Sequence, residues 1–256
     1  MPSAIPSGNV ALLIDADNAS ADHFDPVLTV LAELGTVNIR RAYGNWSKPS
    51  LKSWARQAVT QAIETQQQFD LTKGKNATDM KMTIDAMDLM AGGRVTGFGL
   101  MSSDSDFTPL VTRLRQEGID VYGFGSDKTP EGFRRACTRF IDVAALAASL
   151  APESPPSTPA AASLGQAAAK PADPAKADVK KVDDEVVRLL IEAYDAAKRD
   201  EKGFAALGPV GQRVANRSSF DVRNYGFKRL SDLVQAIPNF ITETRENGQT
   251  WIRRVR

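Results

Sequence analysis

The chain has 256 residues, 42% of them apolar and 25% charged, with a formal net charge of +1. That is enough for one large domain or two ordinary ones. No apolar run approaches the ~20 residues a membrane span needs. The start, MPSAIPSGNV, has no positive segment followed by an apolar one, so the sequence predicts no signal peptide and a cytoplasmic protein. The single Cys137 excludes an internal disulfide framework and a cysteine-rich zinc site, and the single His23 argues against histidine metal sites and triads.

In chain order, NVALLID is a continuous apolar run, as in a strand covered on both faces. DPVLTVLAELG is helical and closes on Gly35. VNIRRAYG reads as a second strand. PSLKSWARQAVTQAIET reads as a helix with Pro49 in its first turn. QFDLTK is a short third strand, and ATDMKMTIDAMDLMAGG a helix stopping at Gly92–Gly93. VTGFGLMSS is a fourth strand, FTPLVTRLRQEG a helix and IDVYGFG a fifth strand, with a short helix near TPEGFRRAC before RFID. Such alternation predicts a parallel α/β sheet with helices on both faces.

The stretch from 151 to 180 is almost all Ala, Pro, Ser and Lys and lacks the apolar surface to offset its ordering entropy. The predicted organisation is a domain over 1–148, a flexible linker over 149–179 and a second domain over 180–256. The front is acidic, with 15 basic and 17 acidic side chains in residues 1–150; residues 179–256 carry 15 and 11. In the second domain three helical patterns, VDDEVVRLLIEAYDAAKRDEKG, GPVGQRVANRSS and FDVRNYGFKRLSDLVQAI, precede a strand, an Asn247–Gly248 turn and a strand. Three helices and a hairpin make a winged helix.

With one histidine and one cysteine, carboxylates are the main groups available if the protein does chemistry. They fall in three clusters: Asp15, Asp17 and Asn18 after the first strand; Asp79, Asp85 and Asp88 in or near a helix; Asp104 and Asp106 after the fourth strand. In open α/β sheets ligands sit beyond the carboxyl ends of the strands, where strand order reverses. If strands one and four are neighbours there, Asp15, Asp104 and Asp106 converge and Asp79 reaches the same cleft. Packed carboxylates repel one another, and a hard divalent cation such as Mg²⁺, which prefers oxygen ligands, would offset that repulsion. Capping the next helix accounts for any one of these residues as well. Asp85 lies six residues, ~600°, after Asp79 and faces elsewhere, in a packing or neighbouring role.

LLIDADN, KGKNATDMKMTIDAMDLM and LMSSDSDFTPLVTRLRQEGIDVYGFG together resemble the motifs of the NYN domain family, in the PIN-like nuclease group. The resemblance implies a PIN-like parallel-sheet fold and Mg²⁺- or Mn²⁺-dependent cleavage of RNA. Carried over by motif, Asp15, Asp79, Asp104 and Asp106 would be the catalytic acids, with Asp15, Asp104 and Asp106 on the metal. Asn18, Asp17, Ser103 and Asp85 would be supporting groups. Of the pair after strand four, Asp104 is expected to touch the metal and Asp106 to cap the helix. GPVGQRVANRSSFDVRNYGFKRLSDLVQAIPNFITE is similar to the LOTUS, or OST-HTH, domain through Tyr225, Gly226, Phe227, Leu230, Leu233, Pro238 and Phe240. That implies a winged helix that binds RNA or, in some relatives, protein.

Candidate RNA contacts are Lys73, Lys75 and Lys81 around the helical acid, and Arg41, Tyr43 and Trp46 after strand two, where an aromatic beside basic groups suits a stacked base. In the second domain they are Arg213, Arg217, Arg223, Lys228 and Arg229; solvated basic faces are the plainer alternative. The expected function is a metal-dependent ribonuclease. The alternatives are a non-catalytic RNA-binding adaptor, or a phosphatase read from Asp-x-Asp in DADN. Oligomeric state is left open.

Overall fold

The computed structural model describes residues 8–69, 77–150, 182–245 and 248–255. Residues 151–179 of the expected linker, Lys73, Lys75, Asn247 and most of QFDLTK lie outside the described residues.

The first domain is a six-stranded parallel sheet of order β3-β2-β1-β4-β5-β6. Its strands are β1 (Asn9–Asp15), β2 (Thr36–Gly44), β3 (Glu64–Gln67), β4 (Gly97–Met101), β5 (Asp120–Gly125) and β6 (Arg139–Asp142). The helices are α1 (Phe24–Leu34), α2 (Lys52–Thr60), α3 (Ala77–Ala91), α4 (Thr108–Gln116), α5 (Glu131–Ala136) and α6 (Val143–Leu150). β1 lies between β2 and β4, so the chain reverses its direction across the sheet there, as the sequence required for the acids to meet.

Period-two alternation along β1 divides the core. Val10, Leu12 and Ile14 pack with α1, α2 and α6 through Phe24, Leu31, Trp54 and Leu146. Ala11 and Leu13 face the other way, against Met82 and Ala86 of α3 and Leu110, Val111 and Leu114 of α4. Each fully buried Leu or Phe contributes about 2 kcal/mol of apolar burial. Asp15, next in the odd series, inherits the α3–α4 side.

Two boundaries differ from the sequence expectation. The second helix stops at Thr60, and β3 takes Glu64–Gln67, earlier than QFDLTK. Ala62, at φ 51°, turns the chain out of the helix, and Ile63 is buried beyond it. Edge strand β3 buries little side-chain surface, so it has no apolar pattern to be found by.

In the second domain, α7 (Asp184–Asp195), α8 (Leu207–Arg217) and α9 (Leu230–Ala236) pack with a three-stranded sheet, order β7-β9-β8, formed by β7 (Ala205–Ala206), β8 (Phe240–Thr244) and β9 (Thr250–Arg254). Their core is Leu190, Tyr194, Val210, Leu233, Phe240 and Ile252. The expected single helix over FDVRNYGFKRLSDLVQAI is two pieces: a 3₁₀ turn over Val222–Tyr225, then α9. Gly226, at φ 82°, is in the left-handed region that ends the turn. Among the described residues no helix is long and apolar enough to cross a membrane.

Candidate functional site

The site is at the carboxyl edge of the sheet, where β1 and β4 end side by side. Asp15 is 1% exposed. Its Oδ2 accepts from Asn18 Nδ2 at 2.9 Å and from Ser102 Oγ at 2.9 Å. Its Oδ1 is buried and has no hydrogen-bond partner among the described residues. Burial pushes the Asp15 carboxyl above its ordinary range, partly offset by the Asn18 and Ser102 hydrogen bonds, while Asp17 pushes it up again. A buried carboxylate oxygen without a donor is costly unless something positive faces it.

Ser102 joins the two strand exits. It donates to Asp15, and its Oγ accepts from the Asp104 backbone N–H at 3.1 Å. Sequence reasoning chose Ser103 for the supporting role. Ser103 instead accepts from Ser126 N at 2.9 Å and turns toward the loop after β5. The β1–β4 register, which only the structure shows, ends at Ile14 opposite Met101 and puts Ser102 next to Asp15.

The capping assignment within the pair is also corrected. Asp104 is the cap: its Oδ1 accepts from Asp106 N at 2.8 Å and opens a 3₁₀ turn over Ser105–Phe107 that leads into α4. Asp106 is exposed in that turn. Asp104 keeps its second oxygen, so capping and service at the site are compatible.

Asp79 lies in the first turn of α3. Burial first, then the negative charges of Asp15, Asp104, Asp106 and Asp17, push its carboxyl up to about 6. Four other acids acting on one carboxyl is the electrostatic mark of an acidic cup. Among the described residues, no group of three or more His, Cys, Asp or Glu side chains is placed so that it could hold a metal ion. The donors nevertheless fit a hard divalent cation in their chemistry: they are all oxygens, one is buried without a partner among the described residues, and their mutual repulsion is what a cation offsets.

Asp17 works as a strut. It accepts from Lys48 Nζ at 3.0 Å, from Thr78 Oγ1 at 3.3 Å and from Asn45 N at 3.4 Å, tying the loop after β2 to the start of α3. The sequence offered no spacing from which Asn45, Lys48 and Thr78 could be grouped.

A second acidic centre lies beneath the cup. Buried Asp85 accepts from Tyr43 Oη at 3.1 Å and Lys81 Nζ at 2.8 Å, with Arg41 Nη1 at 3.6 Å. Arg41 also pairs with Glu64 at 2.9 Å. Tyr43 is fully buried and offers no face to a base. Arg41 and Tyr43 of β2 therefore anchor α3 through Asp85, and Lys81 pairs with the same carboxylate from within α3. Trp46 is half-buried against the core, its Nε1 donating to Gln66 O at 3.0 Å. Asp88, on the last turns of α3, lines a different cleft at the opposite edge of the sheet.

In the winged helix, Arg213, Arg217, Lys228 and Arg229 are exposed. Arg217 pairs with Glu192 at 2.7 Å. Arg223 is mostly covered and pairs with Asp221 and Glu33.

Residues 9–147 match the family model of the NYN domain, and residues 177–252 match that of the OST-HTH/LOTUS domain. The uncharacterized protein MJ0482 of Methanocaldococcus jannaschii is 26% identical over 137 residues, 52% of this chain and 52% of that protein. The chain thus spans about half the length of the curated relative it matches. Among solved structures, a protein of unknown function from Vibrio parahaemolyticus, VPA0982, is similar at 18% identity and a TM-score of 0.44, covering 56% of this chain and 96% of that one.

Proposed function

Because the chain belongs to the NYN domain family, a PIN-like nuclease fold, we propose that it is a metal-dependent ribonuclease that cuts RNA at the Asp15–Asp79–Asp104–Asp106 cup. The observation that carries this is the convergence of separate acidic motifs on one sheet edge, felt at Asp79 as a carboxyl raised to about 6 by burial and its acidic neighbours.

In this reading Asp15, Asp104 and Asp106 would hold Mg²⁺ or Mn²⁺. When bound, the cation would orient and acidify a water and offset charge on the phosphodiester. The protein's own groups do the positioning. Asn18 and Ser102 fix Asp15 Oδ2, and Oδ1 has no hydrogen-bond partner among the described residues. Ser102 also sets the backbone of Asp104, so the two strand exits keep one spacing. The Asp17 strut and the Asp85–Tyr43 anchor hold α3, and with it Asp79, against β2. Arg213, Lys228 and Arg229 would hold the RNA backbone; such contacts position a strand without reading its sequence.

The test is cleavage of end-labelled RNA with Mn²⁺, with EDTA, and by Asp104→Asn purified in parallel. Cleavage should need the metal and fall at least a hundredfold in the variant. Equal cleavage by Asp104→Asn would sink the reading and point to a contaminating ribonuclease. RNA retention without metal-dependent cleavage would support the adaptor instead.

A further inference from the structure

β6 ends the sheet, and an edge strand presents unpaired backbone groups to its surroundings. Here those groups are taken by the other domain. Phe140 N–H donates to Ser219 O at 3.0 Å, Phe140 O accepts from Asn224 Nδ2 at 2.9 Å, and Asp142 N–H donates to Asn224 Oδ1 at 2.8 Å. The Asn224 carboxamide thus supplies the donor and acceptor that a neighbouring strand residue would supply.

Charged groups frame the contact. Asp221, 4% exposed, caps the 3₁₀ turn by accepting from Arg223 N at 2.9 Å, and its Oδ2 lies 3.2 Å from Arg223 Nη1 and 3.6 Å from Arg139 Nη1 of β6. Arg223 Nη2 reaches Glu33 Oε2, near the end of α1, at 2.5 Å. Arg135 of α5 pairs with Glu185 of α7 at 3.2 Å. The cleft left beside the contact, about 460 Å³, is lined by three acidic and three basic side chains, so it has no net charge to draw in a phosphate chain.

We propose that the segment 219–224 is the edge-closing partner of β6, locking the winged helix to the NYN sheet as one body. The offset of its exposed Arg213, Lys228 and Arg229 from the cup is then set by the lock and not by the length of the segment 151–181. β6 is three strand spacings from β1, about 14 Å. The bearing on cleavage rests on the ribonuclease reading; the lock does not.

The lock is tested on the full chain with spin labels at Val59→Cys and Gln235→Cys, both exposed positions, the native Cys137 being buried. A narrow distance distribution is expected, unchanged when twenty Gly/Ser residues are inserted between 151 and 181. A domain held only by its tether would give a broad distribution whose mean moves out by about a quarter, following the square root of tether length; that result would overturn the proposal. Asn224→Ala should broaden the distribution and speed hydrogen exchange at the Phe140 and Asp142 amides at least tenfold. Arg139→Ala, on the other side of the contact, should broaden it too and guards against a folding defect in the winged helix. A narrow distribution with slow exchange in both variants would refute the role of the segment. If the chain cuts RNA, the insertion should leave product lengths unchanged; absence of cleavage would count against the ribonuclease reading and leave the distance result standing.

Discussion

Replacing Asp79 with Asn removes the carboxyl on which the acidic cup presses. Burial and four acidic neighbours raise it from 3.8 to about 6. At 1.36 kcal/mol per pKa unit this is about 3 kcal/mol in a fully shielded site. Asp79 is only partly covered, and solvent screening reduces the figure to about 1 kcal/mol. The sign follows from the direction of the shift. Well below the unfolded pKa of 3.8 the carboxyl is protonated in both folded and unfolded chains, and its charge costs nothing. As pH rises through 6 the folded chain must ionise a group it would keep protonated, and stability falls. Asp79→Asn should therefore be the more stable protein at pH 7.5 in EDTA, by about 1 kcal/mol or about 3 °C in Tm for a domain of this size. The gap should close at pH 4. Millimolar Mg²⁺ should raise the Tm of the native protein more than that of the variant, because binding to the folded state alone is stabilising. Thermal unfolding followed by circular dichroism reads all three. A variant no more stable than the native chain at pH 7.5, or a gap that persists unchanged at pH 4, would refute the reasoning.

Tyr43→Phe should lower stability in urea by about 1 kcal/mol, since buried Asp85 loses its Tyr43 hydrogen bond but keeps Lys81 and Arg41. Ser102→Ala removes one of the two side-chain donors on Asp15; Mn²⁺ binding measured by calorimetry should weaken about tenfold, the scale of lost supporting hydrogen bonds at metal sites. Cys137 is buried, and burial pushes its thiol up to about 12; it should react with a thiol reagent only as the protein unfolds. Lys228→Ala or Arg229→Ala should weaken RNA retention and reduce its salt slope by about 1 in each case; an unchanged slope would remove that residue from the RNA path.

The parallel sheet was legible because buried strands and amphipathic helices repeat on different periods, and β1, β4 and β5 are almost wholly apolar. The acidic motifs were legible because a chain with one histidine and one cysteine has few other groups for chemistry. β3 was misplaced because an edge strand of Glu64, Thr65, Gln66 and Gln67 has no apolar signature. Tyr43 and Arg41 looked like RNA contacts because composition cannot tell a phenol facing solvent from one buried on Asp85. Which serine supports Asp15, and which aspartate caps the 3₁₀ turn before α4, depended on strand register and loop path. The amino-acid sequence by itself determined the fold class, the domain order and which acids were available, since burial periodicity and residue chemistry are local properties. Only the tertiary structure decided that Asp15, Asp79, Asp104 and Asp106 share one electrostatic field and that Asn224 closes the β6 edge, because both require residues distant in sequence to come within reach of one another.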